Sequence, residues 1–154
     1  MLPSTNRVPN STAGWPPCTV NMFGVIAMNT LALWHEIMRE RNPARLEEIL
    51  AEDCVFLSPV VHSPQEGRDV TSFYLTAAFN VFNDSFRYVK EVVGPRHAVL
   101  EFECDIEGIM VNGVDIMTFN DDGKIIEFKV MVRPLKAVNL LHAKMRAMLE
   151  QLSA

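Results

Sequence analysis

The stretch Val114-Asp115-Ile116-Met117-Thr118-Phe119-Asn120-Asp121-Asp122-Gly123-Lys124-Ile125 decides the fold. Its first six residues alternate: Asp115, Met117 and Phe119 share one side, Val114, Ile116 and Thr118 the other. That period of two is the mark of a strand. Asn120-Asp121-Asp122-Gly123 carries the residues a tight turn needs, so residues 124–132 are expected to return as the next strand. Upstream, the same alternation predicts strands at 86–93, 97–109 and 114–119, joined at Gly94-Pro95 and at Asn112-Gly113. Loops this short make the strands antiparallel neighbours. Downstream, Pro134 closes the sheet, and Leu135, Val138, Leu141, Met145, Met148, Leu149 and Leu152 mark one stripe of a last helix.

Before residue 86 the period is helical. Val70, Phe73, Tyr74, Ala77, Val81 and Phe82 follow i, i+3, i+4, i+7, i+11, i+12. Earlier still, Leu31, Trp34, Ile37 and Met38 predict a first helix. Asn42-Pro43 reads as an N-cap with proline at the first helical position, opening a helix with Leu46, Ile49 and Leu50 on one face. A short strand at 54–57 ends at Pro59, and the loop from His62 to Gly67 leads into the third helix. Helices followed by an antiparallel meander give an α+β architecture, with the helices on one face of a curved sheet. Three segments result: an irregular, Pro/Ser/Asn-rich tail over 1–27, a folded domain over 28–134, and a C-terminal helix over 135–154. Met28 ends the tail and offers an alternative translation start.

Composition narrows the function classes. The chain has 154 residues, 49% hydrophobic and 21% charged, which suits one domain. Its net charge of -5 argues against a nucleic-acid partner. The longest apolar stretch, 22–34, is interrupted by Gly24, Asn29 and Thr30 and falls short of the roughly 20 residues a membrane span needs. Arg7 is the single early positive charge and no clean secretory signal follows, so a cytoplasmic protein is expected. Cys18, Cys54 and Cys104 are odd in number and far apart, which indicates neither a disulfide framework nor a zinc site; reduced thiols, and no metal or cofactor, are expected.

Three segments resemble the nuclear transport factor 2-like superfamily. They are Ile49-Leu50-Ala51-Glu52-Asp53-Cys54-Val55-Phe56-Leu57-Ser58-Pro59, then Gly67 with the helix bearing Phe73 and Tyr74, then the hairpin quoted above. Together they cover roughly residues 29–133. The resemblance implies a cone-shaped, cystatin-like fold, shared by ketosteroid isomerases, SnoaL-like polyketide cyclases and limonene epoxide hydrolases. It also implies a homodimer. Residue by residue, the catalytic sets of these enzymes are incomplete here. The isomerase's basic aspartate falls on Ser58, its oxyanion tyrosine on Trp34, and its oxyanion aspartate on Asp115, which is retained. The carboxylate that cyclases and epoxide hydrolases place on the last strand falls on Val130. The hydrolase arginine falls on Glu103 and its aspartate on Asp105.

The resulting expectation is a pocket between helices and concave sheet, bounded by Trp34, Phe56, Ser58, Phe73, Tyr74, Asp115, Phe128 and Val130. So apolar a lining suits a small hydrophobic ligand. The catalytic candidates are Asp115, as acid or donor to a developing enolate, and His62, as a loop base. Asp115 has a second reading, an ion pair with Lys129 or Arg133. Glu101, Glu103, Asp105 and Glu107 read as a solvated face, whereas the hydrolase resemblance would turn Asp105 inward. Two functions stay open: cofactor-free isomerase or cyclase chemistry on a carbonyl compound, and a non-catalytic ligand-binding or dimerisation module.

Overall fold

The computed structural model describes residues 22–154. The chain runs α1 (Met22–Glu40), a 3-10 turn (Pro43–Glu48), β1 (Leu50–Leu57), β2 (Gln65–Glu66) and α2 (Arg68–Val81). Then come β3 (Arg87–Val93), β4 (His97–Ile106), β5 (Ile109–Phe119), β6 (Ile125–Arg133) and α3 (Leu135–Leu152). Six strands form one sheet in the order β2-β1-β6-β5-β4-β3. The meander β3–β6 is antiparallel as expected, while β1 joins the free edge of β6 in parallel, making the sheet mixed. Strict alternation on β4 and β5 sends Leu100, Phe102, Cys104, Ile106, Val111, Met117 and Phe119 to the helix side. Glu101, Glu103 and Asp105 stay on the solvated side. Two apolar clusters result. One gathers Trp34, Leu46, Leu100 and Phe128 beneath α1 and α2; the other gathers Phe102, Val111 and Ala137 beneath α3. Cys54 and Cys104 are buried free thiols. No helix among the described residues is long and apolar enough to cross a membrane.

Several boundaries differ from expectation. Helix α1 starts at Met22, so residues 22–27 are helical rather than irregular; residues 1–21 of the expected tail lie outside the described residues. That early turn is anchored: Ala27 is buried, and the Thr30 hydroxyl donates to the Gly123 carbonyl at 2.6 Å. The segment after Asn42 is a 3-10 turn rather than an α-helix, and the Asn42 side chain caps nothing. Leu46, Ile49 and Leu50 are nonetheless buried, and β1 starts at Leu50, which pairs with Ile125 across the sheet. On α2 the buried face is Thr71, Leu75, Ala77 and Phe79, while Val70 is exposed and Phe73, Tyr74 and Phe82 are half-buried. Tyr74 and Phe82 face an opening rather than solid core.

The turn expected at Asn112-Gly113 sits instead at Glu107-Gly108. Both residues there have positive φ, 56° and 77°, the conformation of a tight two-residue hairpin. Asn112-Gly113 lies within β5 for packing reasons. The Asn112 amide donates to Glu101 at 3.0 Å and to the Phe102 carbonyl at 3.1 Å. Gly113 lies under the Phe102 ring: a Cβ there would stand 2.5 Å from Phe102 Cζ and 2.7 Å from the Met131 carbonyl oxygen. Gly113→Ala should therefore destabilise the fold by about 1–3 kcal/mol through overpacking. Urea unfolding measures this, and an unchanged midpoint would contradict the close approach.

Candidate functional site

Between the two apolar clusters the concave sheet face and the three helices leave a cavity of about 310 Å³. Its walls are Trp34 and Met38 from α1, Phe56 from β1 and Ser58 just after it, Tyr74, Ala78 and Phe79 from α2, Phe102, Asp115, Phe128 and Val130 from the sheet, and Leu141, Met145 and Leu149 from α3. The apolar stripe of α3 thus covers the open end of the cone. Polar groups are few. His142, Arg146 and Glu150 come from the exposed side of α3, and Arg146 Nε donates to Glu150 at 3.1 Å. Ser58 Oγ accepts backbone N–H groups of Val60 and Val61 at 3.1 and 3.3 Å.

Asp115 is the one charged group buried deep in this wall, 6% exposed. Its partner is neither Lys129 nor Arg133. Lys129 pairs with Glu127 at 3.2 Å, and Arg133 donates to Asn112 at 3.3 Å. Instead the Tyr88 hydroxyl donates to Asp115 Oδ2 at 2.6 Å, and Trp34 Nε1 donates to the Tyr88 oxygen at 3.0 Å. Burial pushes the Asp115 carboxyl up to about 7, against the smaller downward pull of the Tyr88 hydrogen bond. Burial likewise drives Tyr88 well above its ordinary value, with the neighbouring Asp115 adding to the rise. A carboxyl here is proton-loaded in mildly acid solution and divided near neutrality.

Tyr88 was not legible from period two. The register of β3 on β4 shifts between Tyr88, opposite Phe102, and Lys90, opposite Glu101, leaving Val89 as an extra residue. This bulge lets Phe86 and Tyr88 face the helices and then sends Glu91, opposite Leu100, to the same side, where it meets His35 at 3.0 Å. Bulges commonly re-aim a side chain in this way. The available signal was Phe86 and Tyr88 flanking an arginine, without anything to show a bulge.

Seven of the eight expected pocket residues line this cavity; Phe73 does not, and packs edge-on against Tyr74 instead. His62 does not either. The turn over Ser58 brings Val60 and Val61 to the cavity and leaves His62 exposed in the loop beyond them. Asp105 is exposed on the outer face, where its Oδ1 accepts the Gly108 N–H at 2.9 Å, so the hydrolase-like inward aspartate is absent.

Fold and site together define a helix-covered α+β cone with one buried acid in an apolar cavity. The SnoaL-like domain profile matches residues 31–128, and the chain belongs to that family, within the nuclear transport factor 2-like superfamily. Among solved structures it is similar to a steroid delta-isomerase from Pseudomonas aeruginosa: 36% identity, 84% of this chain and 96% of that one covered, TM-score 0.79. It is also similar to an uncharacterised bacterial protein with a cystatin-like fold from Silicibacter pomeroyi, at 32% identity over 77% and 83% of the two chains, TM-score 0.72. An epoxide hydrolase/cyclase-like enzyme of pyran ring formation in salinomycin shares the fold at 18% identity, over 71% and 92% of the chains, TM-score 0.58. None of the curated proteins matches the chain.

The Asp115 shift makes a stability prediction. A carboxyl higher folded (about 7) than unfolded (about 3.9) binds more protons in the folded state across that interval. Its contribution is therefore fully favourable below about pH 4 and is lost as pH rises toward 7, by up to about 4 kcal/mol. Asp115→Asn removes this slope. The wild-type-minus-mutant difference in unfolding free energy should fall between about pH 4 and 7; a difference constant with pH would show a normally titrating carboxyl.

Proposed function

We propose that this protein binds a small, mostly apolar molecule bearing one ketone or enol oxygen, and that Asp115 meets that oxygen as a neutral acid. The observation that carries this reading is a single buried carboxyl, held by Tyr88, in a cavity walled by aromatic and aliphatic groups. A neutral carboxyl donates to a carbonyl and stabilises the charge that develops as the carbonyl becomes an enolate. Similarity to a steroid delta-isomerase supports cofactor-free isomerisation, and cyclisation through an enolate would ask the same of Asp115. The proton on carbon needs an acceptor. Ser58 is no base, and its oxygen is already occupied by two backbone N–H groups. His142 from α3 and Tyr74 from α2 both line the cavity without a hydrogen-bond partner among the described residues, and of the two only an imidazole accepts a proton near neutral pH. We assign His142 that role.

A second reading, a ligand carrier without turnover, is favoured by that same Ser58. One experiment separates the two. A bicyclic ketone such as 2-tetralone at 100 times its dissociation constant should stabilise the protein by about 2.7 kcal/mol, a rise of a few degrees in Tm, and Asp115→Leu, which removes the donor, should weaken binding about tenfold. A β,γ-unsaturated cyclic ketone should then become conjugated, followed by ultraviolet absorbance, with the rate lost in Asp115→Leu and His142→Gln. Binding without conjugation supports the carrier; absence of any thermal shift sinks both.

A homodimer through the outer sheet face belongs to the same proposal. The cross-strand rows Lys90–Glu101–Val114–Met131 and Val92–Val99–Ile116–Lys129 place a mixed-charge, largely apolar patch there, with Val92 and Met131 well exposed. A second copy meets no net repulsion from such a surface. Sedimentation should show a dimer at micromolar concentration and a monomer for Met131→Lys; a wild-type monomer rejects the interface.

A further inference from the structure

The chain of donors behind Asp115 has a direction that the residue types impose. An indole N–H can donate and cannot accept. The contact of Trp34 Nε1 with the Tyr88 oxygen at 3.0 Å is therefore donated by Trp34. Tyr88, having accepted, still has its own hydrogen to place. Its ring neighbours are Phe86, edge-on at 5.1 Å, and His35, edge-on at 5.4 Å, and His35 Nε2 is engaged by Glu91. The hydrogen-bond acceptor in reach is Asp115 Oδ2, at 2.6 Å. The reverse arrangement, a protonated Oδ2 donating to Tyr88, would strand the phenolic hydrogen without a partner in a desolvated place, which costs more than a hydrogen bond returns. Oδ2 is thus an acceptor whether or not the carboxyl is ionised. Any acid proton falls to Oδ1, which has no hydrogen-bond partner among the described residues while its carboxyl lines the cavity.

We infer that Tyr88, oriented by Trp34, is a positioning residue that fixes the acid proton of Asp115 on Oδ1, so that the deep wall offers a ligand oxygen one donor in one place. The inference rests on reading the cavity as a site for a carbonyl compound. The supporting groups are themselves packed. Trp34 is 2% exposed and lies against Phe79 and Phe128, with ring centroids 6.0 and 5.0 Å away. The bulge at Val89 aims Tyr88 inward. The charged and titratable groups that bear on the relay are His35 from α1 and Glu91 from β3 on the Tyr88 side, and Tyr74 of α2 with His142, Arg146 and Glu150 of α3 on the cavity side. Lys129 and Arg133 are engaged elsewhere, with Glu127 and Asn112. A substrate class follows. Protonated, Oδ1 donates to a ketone oxygen; ionised, it accepts from an enol or phenol hydroxyl. One atom therefore serves both partners of a keto–enol pair, which favours compounds that interconvert between those forms over esters or ethers, which can only accept.

The test begins without any ligand. The protein carrying ¹³C-aspartate is titrated by NMR, with Asp115→Asn used to assign the carboxyl. In Tyr88→Phe the Asp115 midpoint should rise by about a pH unit, because a hydrogen bond to the charged form is lost. Trp34→Phe should raise it by less, since the Tyr88 hydroxyl becomes a weaker donor and gains freedom to rotate. The thermal midpoint and remaining spectrum of Tyr88→Phe verify that it is folded. The probes 2-tetralone and 2-naphthol then report the consequence. Selectivity for the naphthol should increase about tenfold as the carboxyl ionises, and in Tyr88→Phe that change should move to the higher midpoint. A folded Tyr88→Phe whose Asp115 titrates as in wild type overturns the inference. A shifted titration with neither probe bound by wild type leaves the relay standing and overturns the proposed function instead.

Discussion

A carboxyl group placed at the seam between two apolar clusters must be given a donor or kept neutral, and the surroundings of Asp115 do both. Burial raises it to about 7, while Tyr88 supplies one short hydrogen bond that limits the rise. Tyr88 is backed by the Trp34 N–H and is carried on the strand segment where β3 bulges. Trp34 in turn needs Phe79 and Phe128 around its ring. The polar chain and the aromatic core are therefore one construction, reaching from α1 through β3 to the centre of β5.

The same construction explains why a cavity survives in a chain with ample apolar residues to fill it. Tyr88 and Val130 pack against both clusters, so the clusters meet at their edges without merging. Gly113 leaves the space that the Phe102 ring occupies over β5, while Tyr74 and Phe82 stand half-buried on the far wall. Helix α3 then covers the gap with Leu141, Met145 and Leu149 and leaves its polar side, His142 to Glu150, at the entrance. An apolar space ending in one titratable carboxyl is the arrangement from which the proposed carbonyl chemistry draws its support. Ser58 marks where the chain departs from the isomerase resemblance.

Much of this was legible beforehand. The alternation Asp115-Met117-Phe119 placed a carboxyl on an apolar face, and left open whether it would be a neutral acid or the partner of Lys129 or Arg133. The alternation on β4 assigned Glu101, Glu103 and Asp105 to solvent, and the helical stripes located α1, α2 and α3. Errors fell where two conformations satisfy the same pattern. Asn112-Gly113 has ideal turn chemistry, yet the Phe102 ring requires a residue without a side chain there. Asn42-Pro43 has ideal capping chemistry, yet the helix it opens is a short 3-10 turn because Leu50 is claimed by the sheet. His62 and Phe73 were adjacent to the right elements but on the wrong side of a turn and of a helix.

By itself, then, the sequence determined the class of fold, the order of elements, the outward acidic row and the identity of the buried acid. These follow from short-range periodicity and local backbone chemistry, which each segment carries within itself. Tertiary structure alone decided the partner of that acid, the parallel seat of β1 on β6 and the closing of the cone by α3. Each depends on contacts between segments far apart in the chain, where packing volume and the need to satisfy buried hydrogen-bonding groups select among registers that local patterns leave equivalent. A single extra residue at Val89 was enough to turn Tyr88 toward Asp115, and nothing in the neighbouring residues of β3 signals it.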